Sequence, residues 1–144
     1  MQLHKAEILK AVFARKGGDL AASEALLAQG VDGQVRALLA DDEVLILGDR
    51  SGASWMVLTE KRLVIAAGGR MESIPLAELD QVSPDLQEAG PSTKADLDSL
   101  RITLSSGHIV SARLQSGGNF LGWLNVLMAV VRGNVLLPGN SPAD

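Results

Sequence analysis

The sequence predicts an α+β domain in which short antiparallel strands are framed by helices at both ends of the chain. Three observations predict it. Apolar residues in the first thirty positions and again around residue 120 recur at the three- and four-residue spacing of a helix face. Between them the chain breaks into short runs of Val, Ile, Leu and Thr punctuated by Gly, Asp, Ser and Pro, the pattern of strands joined by tight turns. The style changes at Asp41-Asp42-Glu43. That change divides the chain into a helical extension over 1–40, a β-rich domain over 41–132 and a loose tail over 133–144.

Residues 3–16 pair Ile8 with Val12 and Leu9 with Phe13, each four apart, and predict a first helix that Gly17-Gly18 stops. Asp19 can cap a second helix through its carboxylate. That helix runs to about Gln29 with Leu20, Ala22, Leu26 and Leu27, and Gly30 supplies the left-handed C-terminal position. A third helical piece over 31–40 is weakened by Gly33. Strands follow at 43–47, 54–59, 62–67, 70–74 and 79–82. After a polar connection over 84–96, two more at 100–104 and 109–114 flank the turn Ser105-Ser106-Gly107-His108. The closing helix, 119–132, carries Phe120, Leu124, Leu127 and Val131 at 4, 3, 4 spacing, with Trp123 and Met128 widening the face and Gly133-Asn134 as its stop. The predicted core is Leu58, Leu63, Ile65, Ile74, Leu76, Leu79, Ile102, Leu104, Leu124 and Leu127. Gly122, in mid-helix, implies a close approach to a strand.

A chain of 144 residues can bury about 68 to 70 % of its unfolded surface, enough for a core without staples. Hydrophobic residues are 47 % and charged ones 21 %, ordinary for a globular domain. A net charge of -4 gives no overall attraction to nucleic acid or anionic lipid, so nucleic acid is set aside and membrane lipid is disfavoured. The absence of Cys excludes disulfides, thiol nucleophiles and thiolate metal sites. Lys10, Arg15 and Lys16 interrupt the first apolar stretch, unlike a secretory signal, and a cytoplasmic location is expected.

The stretch 56–79 carries the most specific pattern. Leu58-Thr59 ends one strand, Glu60-Lys61 turns, Arg62-Leu63 opens the next, Gly68-Gly69 turns again, and Ile74-Pro75-Leu76 precedes an acidic, Leu-containing segment. The pattern resembles the middle of bacterial pleckstrin-homology-like (PH/GRAM-like) domains, and the resemblance covers roughly residues 41–132. It implies about seven strands in two bent antiparallel sheets, a partly open sandwich or barrel with one open end plugged by the terminal helix. It also implies an interaction module rather than an enzyme. Bacterial members are often oligomeric, which implies a homodimer or higher homo-oligomer, and some members of the fold hold phosphoinositide headgroups with bases on the first hairpin loop. The first forty residues lie outside the resemblance.

Candidate chemistry is sparse. His4 lies near the terminus and His108 in a turn, with no second ligand at a metal spacing. Asp41-Asp42-Glu43 lacks the alternating ligands and Gly of a calcium loop and reads as solvated acids before a strand. Asp96 and Asp98 flank Leu97 and turn outward by alternation. Neither Gly17-Gly18 nor Gly68-Gly69 has phosphate-loop spacing. The first hairpin loop, residues 48–52, offers Arg50 beside Asp49; Lys61 and Arg62 follow Glu60; Arg70 stands alone. These bases are too few for a multiply phosphorylated headgroup and read as solvated turn residues. Trp55, with small neighbours on its strand face, is either a core anchor or an exposed anchor for a partner. Residues 1–18 hold four bases against one acid, and docking of this basic extension on the acidic remainder, or self-association through it, follows. The sequence therefore predicts no catalytic, cofactor or metal residue. It predicts a module binding a protein partner, itself, or both, through Trp55, Arg50, Pro84, Leu86, Pro91 and Phe13. Alternatives are a peripheral lipid-binding domain, a small hydrolase built on a buried His108 facing an acid, and an immunity- or antitoxin-type protein.

Overall fold

The computed structural model describes residues 2–30, 33–51, 54–67, 70–84, 99–114 and 118–136. In chain order these form α1 (Gln2–Arg15), α2 (Leu20–Gln29), α3 (Gly33–Arg36), β1 (Leu45–Ser51), β2 (Ser54–Thr59), β3 (Arg62–Ala67), β4 (Arg70–Pro75), a 3-10 turn (Leu76–Glu78), β5 (Leu79–Pro84), β6 (Ser99–Leu104), β7 (Ile109–Arg113) and α4 (Gly118–Leu136). β1 to β4 make one antiparallel sheet and β5 to β7 a second, each in sequence order. Alternation drives the layering, because period-two side chains put Met56 and Leu58 on one face of β2 and Trp55 and Val57 on the other.

The main core lies between the sheets and under α1 and α4. It holds every predicted core residue except Leu124 as a buried side chain. On α4 the fully buried row is Phe120, Trp123, Val126, Leu127 and Val130, so the helix is rotated from the predicted stripe and Leu124 and Val131 lie on its flank, half-buried. The two tryptophan and phenylalanine rings explain the rotation, since Trp123 brings the largest apolar area and meets Phe13 edge-on at 5.9 Å.

α1 docks on α4 and β1 and buries Ala6, Leu9 and Phe13, while Ile8, predicted to share the inward face, is exposed. A Cβ at Gly122 would stand 2.8 Å from the Phe13 ring and 3.1 Å from the backbone of Gly18, so the close approach at Gly122 is to α1 and its exit turn, not to a strand. The Asp19 carboxylate caps α2 by accepting from Ala22 N–H at 3.0 Å, and Gly30 ends it with φ of 102°. α2 then lies along the outer edge of β1, where Ser23 Oγ accepts from Gly48 N–H at 2.9 Å. An edge strand that needs cover obtains it there.

Several boundaries differ from the sequence reading. β1 starts two residues later than expected and continues to Ser51, so Gly48, Asp49 and Arg50 belong to a strand paired with Val57, Met56 and Trp55 rather than to a loop. Asp49 is buried and accepts from Asn119 Nδ2 at 3.3 Å. α3 is limited to four residues, with 31–32 outside the described residues. α4 passes through Gly133 and Asn134 to Leu136. Gly133 does not take a positive φ and costs a helix only about 1 kcal/mol, whereas the Leu137-Pro138 step that follows Leu136 in the sequence disfavours helical backbone. Among the described residues no helix is long and apolar enough to cross a membrane.

Candidate functional site

The second sheet is β5-β6-β7, so among the described residues β5 is hydrogen-bonded on one side only. Its pairing with β6 slips between Leu79 and Gln81, a bulge that leaves Asp80 unmatched, and it ends at Pro84, which has no N–H to give a neighbouring strand. α4 runs beside it. Leu121, Leu124, Met128 and Val131 follow a 3, 4, 3 spacing along one flank of α4, and each remains half-buried or exposed. The apolar arc of this helix is thus wider than its fully buried row. Between strand and flank runs an open groove of about 300 Å³ lined by Asp80, Gln81, Val82, Ser83, Met128, Val131 and Arg132, with Met128 37 % exposed. A strand with one ladder neighbour among the described residues, beside the half-buried flank of α4, offers what an extended peptide needs, backbone partners and an apolar slot for alternate side chains.

A second surface is the outer face of the β1–β4 sheet. Val35 of α3 and Leu39 cover Val57 and Val64 there, with Leu45, Trp55, Ala66 and Met71 packed around them. The cover is fixed by Glu43. Its carboxylate accepts from the Thr59 hydroxyl, from Arg62 Nε at 2.9 Å and from Ala40 N–H at 3.1 Å. Arg62 also donates through Nη1 to the Leu38 carbonyl at 2.9 Å. Burial pushes the Glu43 carboxyl up, but the hydrogen bonds from Thr59, Ala40 and Arg62 and the guanidinium charge outweigh it and hold the group below its ordinary 4.5. Two sequence readings are corrected here: Glu43 is a buried ion-pair partner rather than a solvated acid, and Arg62 is a clamp rather than a free turn residue. Both misses have one cause. The partners lie 19 positions apart and meet only because α3 folds back on the sheet.

A third opening, about 240 Å³, lies where β4 and β7 diverge, over Ile65 and Val110, with Arg70, Glu72, His108, Ile109 and Ser111 around it. His108 Nε2 is 3.8 Å from a Glu72 oxygen, but the imidazole is 57 % exposed, so the buried acid-facing His that would favour hydrolysis is not formed. Among the described residues no three His, Asp or Glu side chains are grouped to hold a metal ion.

Of the residues singled out from the sequence, only Arg50 and Trp55 are brought together among the described residues. Arg50 stacks over the Trp55 ring at 5.4 Å on the outer face of the first sheet. Trp55 is neither deep core nor fully exposed but half-buried beside the α3 cover. Phe13 is 1 % exposed between α1 and α4 and cannot meet a partner. Pro84 closes β5 next to the groove. Leu86 and Pro91 lie outside the described residues. Lys61 and Arg62 sit at the β2–β3 turn, at the opposite end of the sheet from the Arg50 and Arg70 ends of their strands. Met128 and Val131 were missed as site residues because a helix stripe read alone assigns every apolar position to the core.

No protein-family model and no curated protein matches the chain. The solved structures similar in fold include the following two. One is a pleckstrin homology domain from Shewanella amazonensis SB2B, 20 % identical, with a TM-score of 0.51 over 71 % of this chain and 90 % of that one. The other is a DUF1696-family protein with a pleckstrin-homology domain from Shewanella loihica PV-4, 20 % identical, with a TM-score of 0.50 over 73 % and 93 % of the two chains. The two antiparallel sheets and the closing helix are therefore the pleckstrin-homology-like fold.

Proposed function

We propose that this pleckstrin-homology-like chain is a non-enzymatic, cytoplasmic interaction module that binds an extended segment of a protein partner along β5. The observation that carries the reading is the groove between the one-sided strand and the half-buried flank of α4. Residues 80–83 present about 13 Å of strand edge at the usual rise per residue, room for four or five partner residues. Val82, Met128 and Val131 supply the apolar wall, and Asp80 and Arg132 add one charge of each sign to the lining. Support against a lipid headgroup comes from the separation of the bases and from the commitment of Arg62 to Glu43. No cofactor is part of the reading.

The test is selection of displayed random peptides on the full chain, followed by NMR mapping of a selected peptide. The expected result is shift changes and slowed amide exchange in β5, with binding lost in Met128→Lys and Val131→Lys. Failure to select a binder, or a peptide that maps elsewhere and survives Met128→Lys, rejects the groove. Headgroup-selective sedimentation with phosphoinositide vesicles at physiological salt would replace it with the lipid reading.

A further inference from the structure

The outer face of the β1–β4 sheet is covered over half its length. Val35 and Leu39 lie on the cross-strand pair Val57–Val64. One row further along, Arg50, Trp55, Ala66 and Met71 stand in register across all four strands, and Trp55, Ala66 and Met71 are half-exposed. The segment 37–42 therefore forms a ridge at the Thr59–Arg62 end of the sheet, and the Trp55 row is a step below it at the other end. Leu38 stands on the ridge 37 % exposed. The charges are also unequal at the two ends. Exposed Asp41 and Asp42 lie on the ridge, where Arg36, Glu60 and Lys61 bring the sum to -1, two bases against three acids, while Arg50 lies over the step.

A face with an acidic ridge at one end and a basic, apolar step at the other is complementary to itself after a half-turn about an axis lying in the plane of the interface, perpendicular to the line from ridge to step. We propose that a second copy of the chain docks here about such a two-fold axis, each Leu38 seated on the Trp55–Ala66–Met71 row of the other copy and each Arg50 facing the partner's Asp41 and the partner's Asp42. This surface is independent of the β5 groove. It also differs from self-association through the first helices, whose apolar residues Leu9 and Phe13 are used within the chain. Four strands at about 4.8 Å spacing and about 20 Å length give a face of roughly 400 Å² per copy, below the usual 800 Å², so the dimer is weak and reversible.

Sedimentation velocity of the full chain between about 10 µM and about 1 mM reads it, the range suited to an interface of this size. The expected result is a monomer–dimer equilibrium in that range, with Leu38→Glu removing the dimer. Arg50→Glu, and the double change Asp41→Arg with Asp42→Arg, should each weaken it about tenfold, and the triple variant should restore it. All four side chains are exposed, and thermal midpoints near the parent's confirm that each variant folds. A monomer throughout, a dimer indifferent to Leu38→Glu, or a triple variant no tighter than the weaker of its parents overturns the proposal. If Leu38→Glu fails to fold, the charge exchange alone decides.

Discussion

Glu43 is the position at which a single change tells most about how the extension is held. Its side chain is fully buried and accepts from Thr59, Arg62 and Ala40, and its partner Arg62 is 29 % exposed and bonded to the Leu38 carbonyl. Removing one member of a buried ion pair costs about 3 to 5 kcal/mol when the other is stranded. The two deletions should not be equal. In Glu43→Ala the guanidinium keeps Leu38 and reaches water, so it is not stranded and the expected loss falls below that range, about 2 to 3 kcal/mol. In Arg62→Ala a carboxylate with no access to water loses its countercharge, and the loss should be about 3 to 5 kcal/mol at neutral pH. The pH dependence separates the cases further. Because the folded pKa of Glu43 is depressed, its contribution is complete above its unfolded value, near 4.5, and is lost as pH falls through the lower folded value. In Arg62→Ala the guanidinium's hydrogen bond and charge no longer oppose burial, so the folded pKa lies higher than the parent's and the variant should lose less stability than the parent on acidification. Urea melts at pH 7 and at steps down to about pH 3 measure all three proteins. Equal losses for the two variants at pH 7, or a Glu43→Ala within about 0.5 kcal/mol of the parent, would refute the account.

On α4, Leu127→Ala is expected to cost about 2 to 5 kcal/mol and Leu124→Ala, on the flank, no more than about 1 to 2 kcal/mol, a difference that denaturant melts resolve. Gly122→Leu should destabilise by about 1 to 3 kcal/mol, since even its Cβ meets the Phe13 ring and the Gly18 backbone, and a stabilised variant would show that α1 does not dock there. Phe13→Ala should cost about 3 to 5 kcal/mol, and light scattering of a chain starting at residue 41 should show aggregation rather than a clean monomer. Should the shortened chain keep full thermal stability as a monomer, docking of the extension contributes nothing to the fold.

Much of this architecture is legible in the sequence because it is written locally. The strands 54–59 and 62–67 appear at their predicted bounds, since a period-two pattern ending in Leu-Thr and reopening at Arg-Leu leaves one register. The Ser105–His108 turn forms with Gly107 at φ of 93°, as its composition requires. Ends set by tertiary contacts are not legible. β1 outlasts its predicted end because Gly48 finds Ser23 and Asp49 finds Asn119, partners 25 and 70 positions away. Phe13 looked like spare apolar surface because its seat is two glycines, Gly18 and Gly122, that carry no hydropathy signal. Of the groove's surroundings the sequence reading names only Pro84, as the start of the polar connection over 84–96, and the α4 flank could be told from the α4 core only once the helix was placed against β5.

The seat of Phe13 has a consequence for synthesis. The ring closes against Trp123 and Gly122, and the Asp19 N–H is held by Asn119 at 2.7 Å, 100 positions along the chain. A ribosome adding about 5 to 20 residues per second emits α1 roughly 5 to 20 seconds before the helix that shelters it. Throughout that interval Leu9, Phe13 and the sheet end they will close are bare together. Closure of this core is thus a late event, and the nascent chain presents Leu9 and Phe13 before the helix that covers them, to whatever holds unfinished chains in the cell.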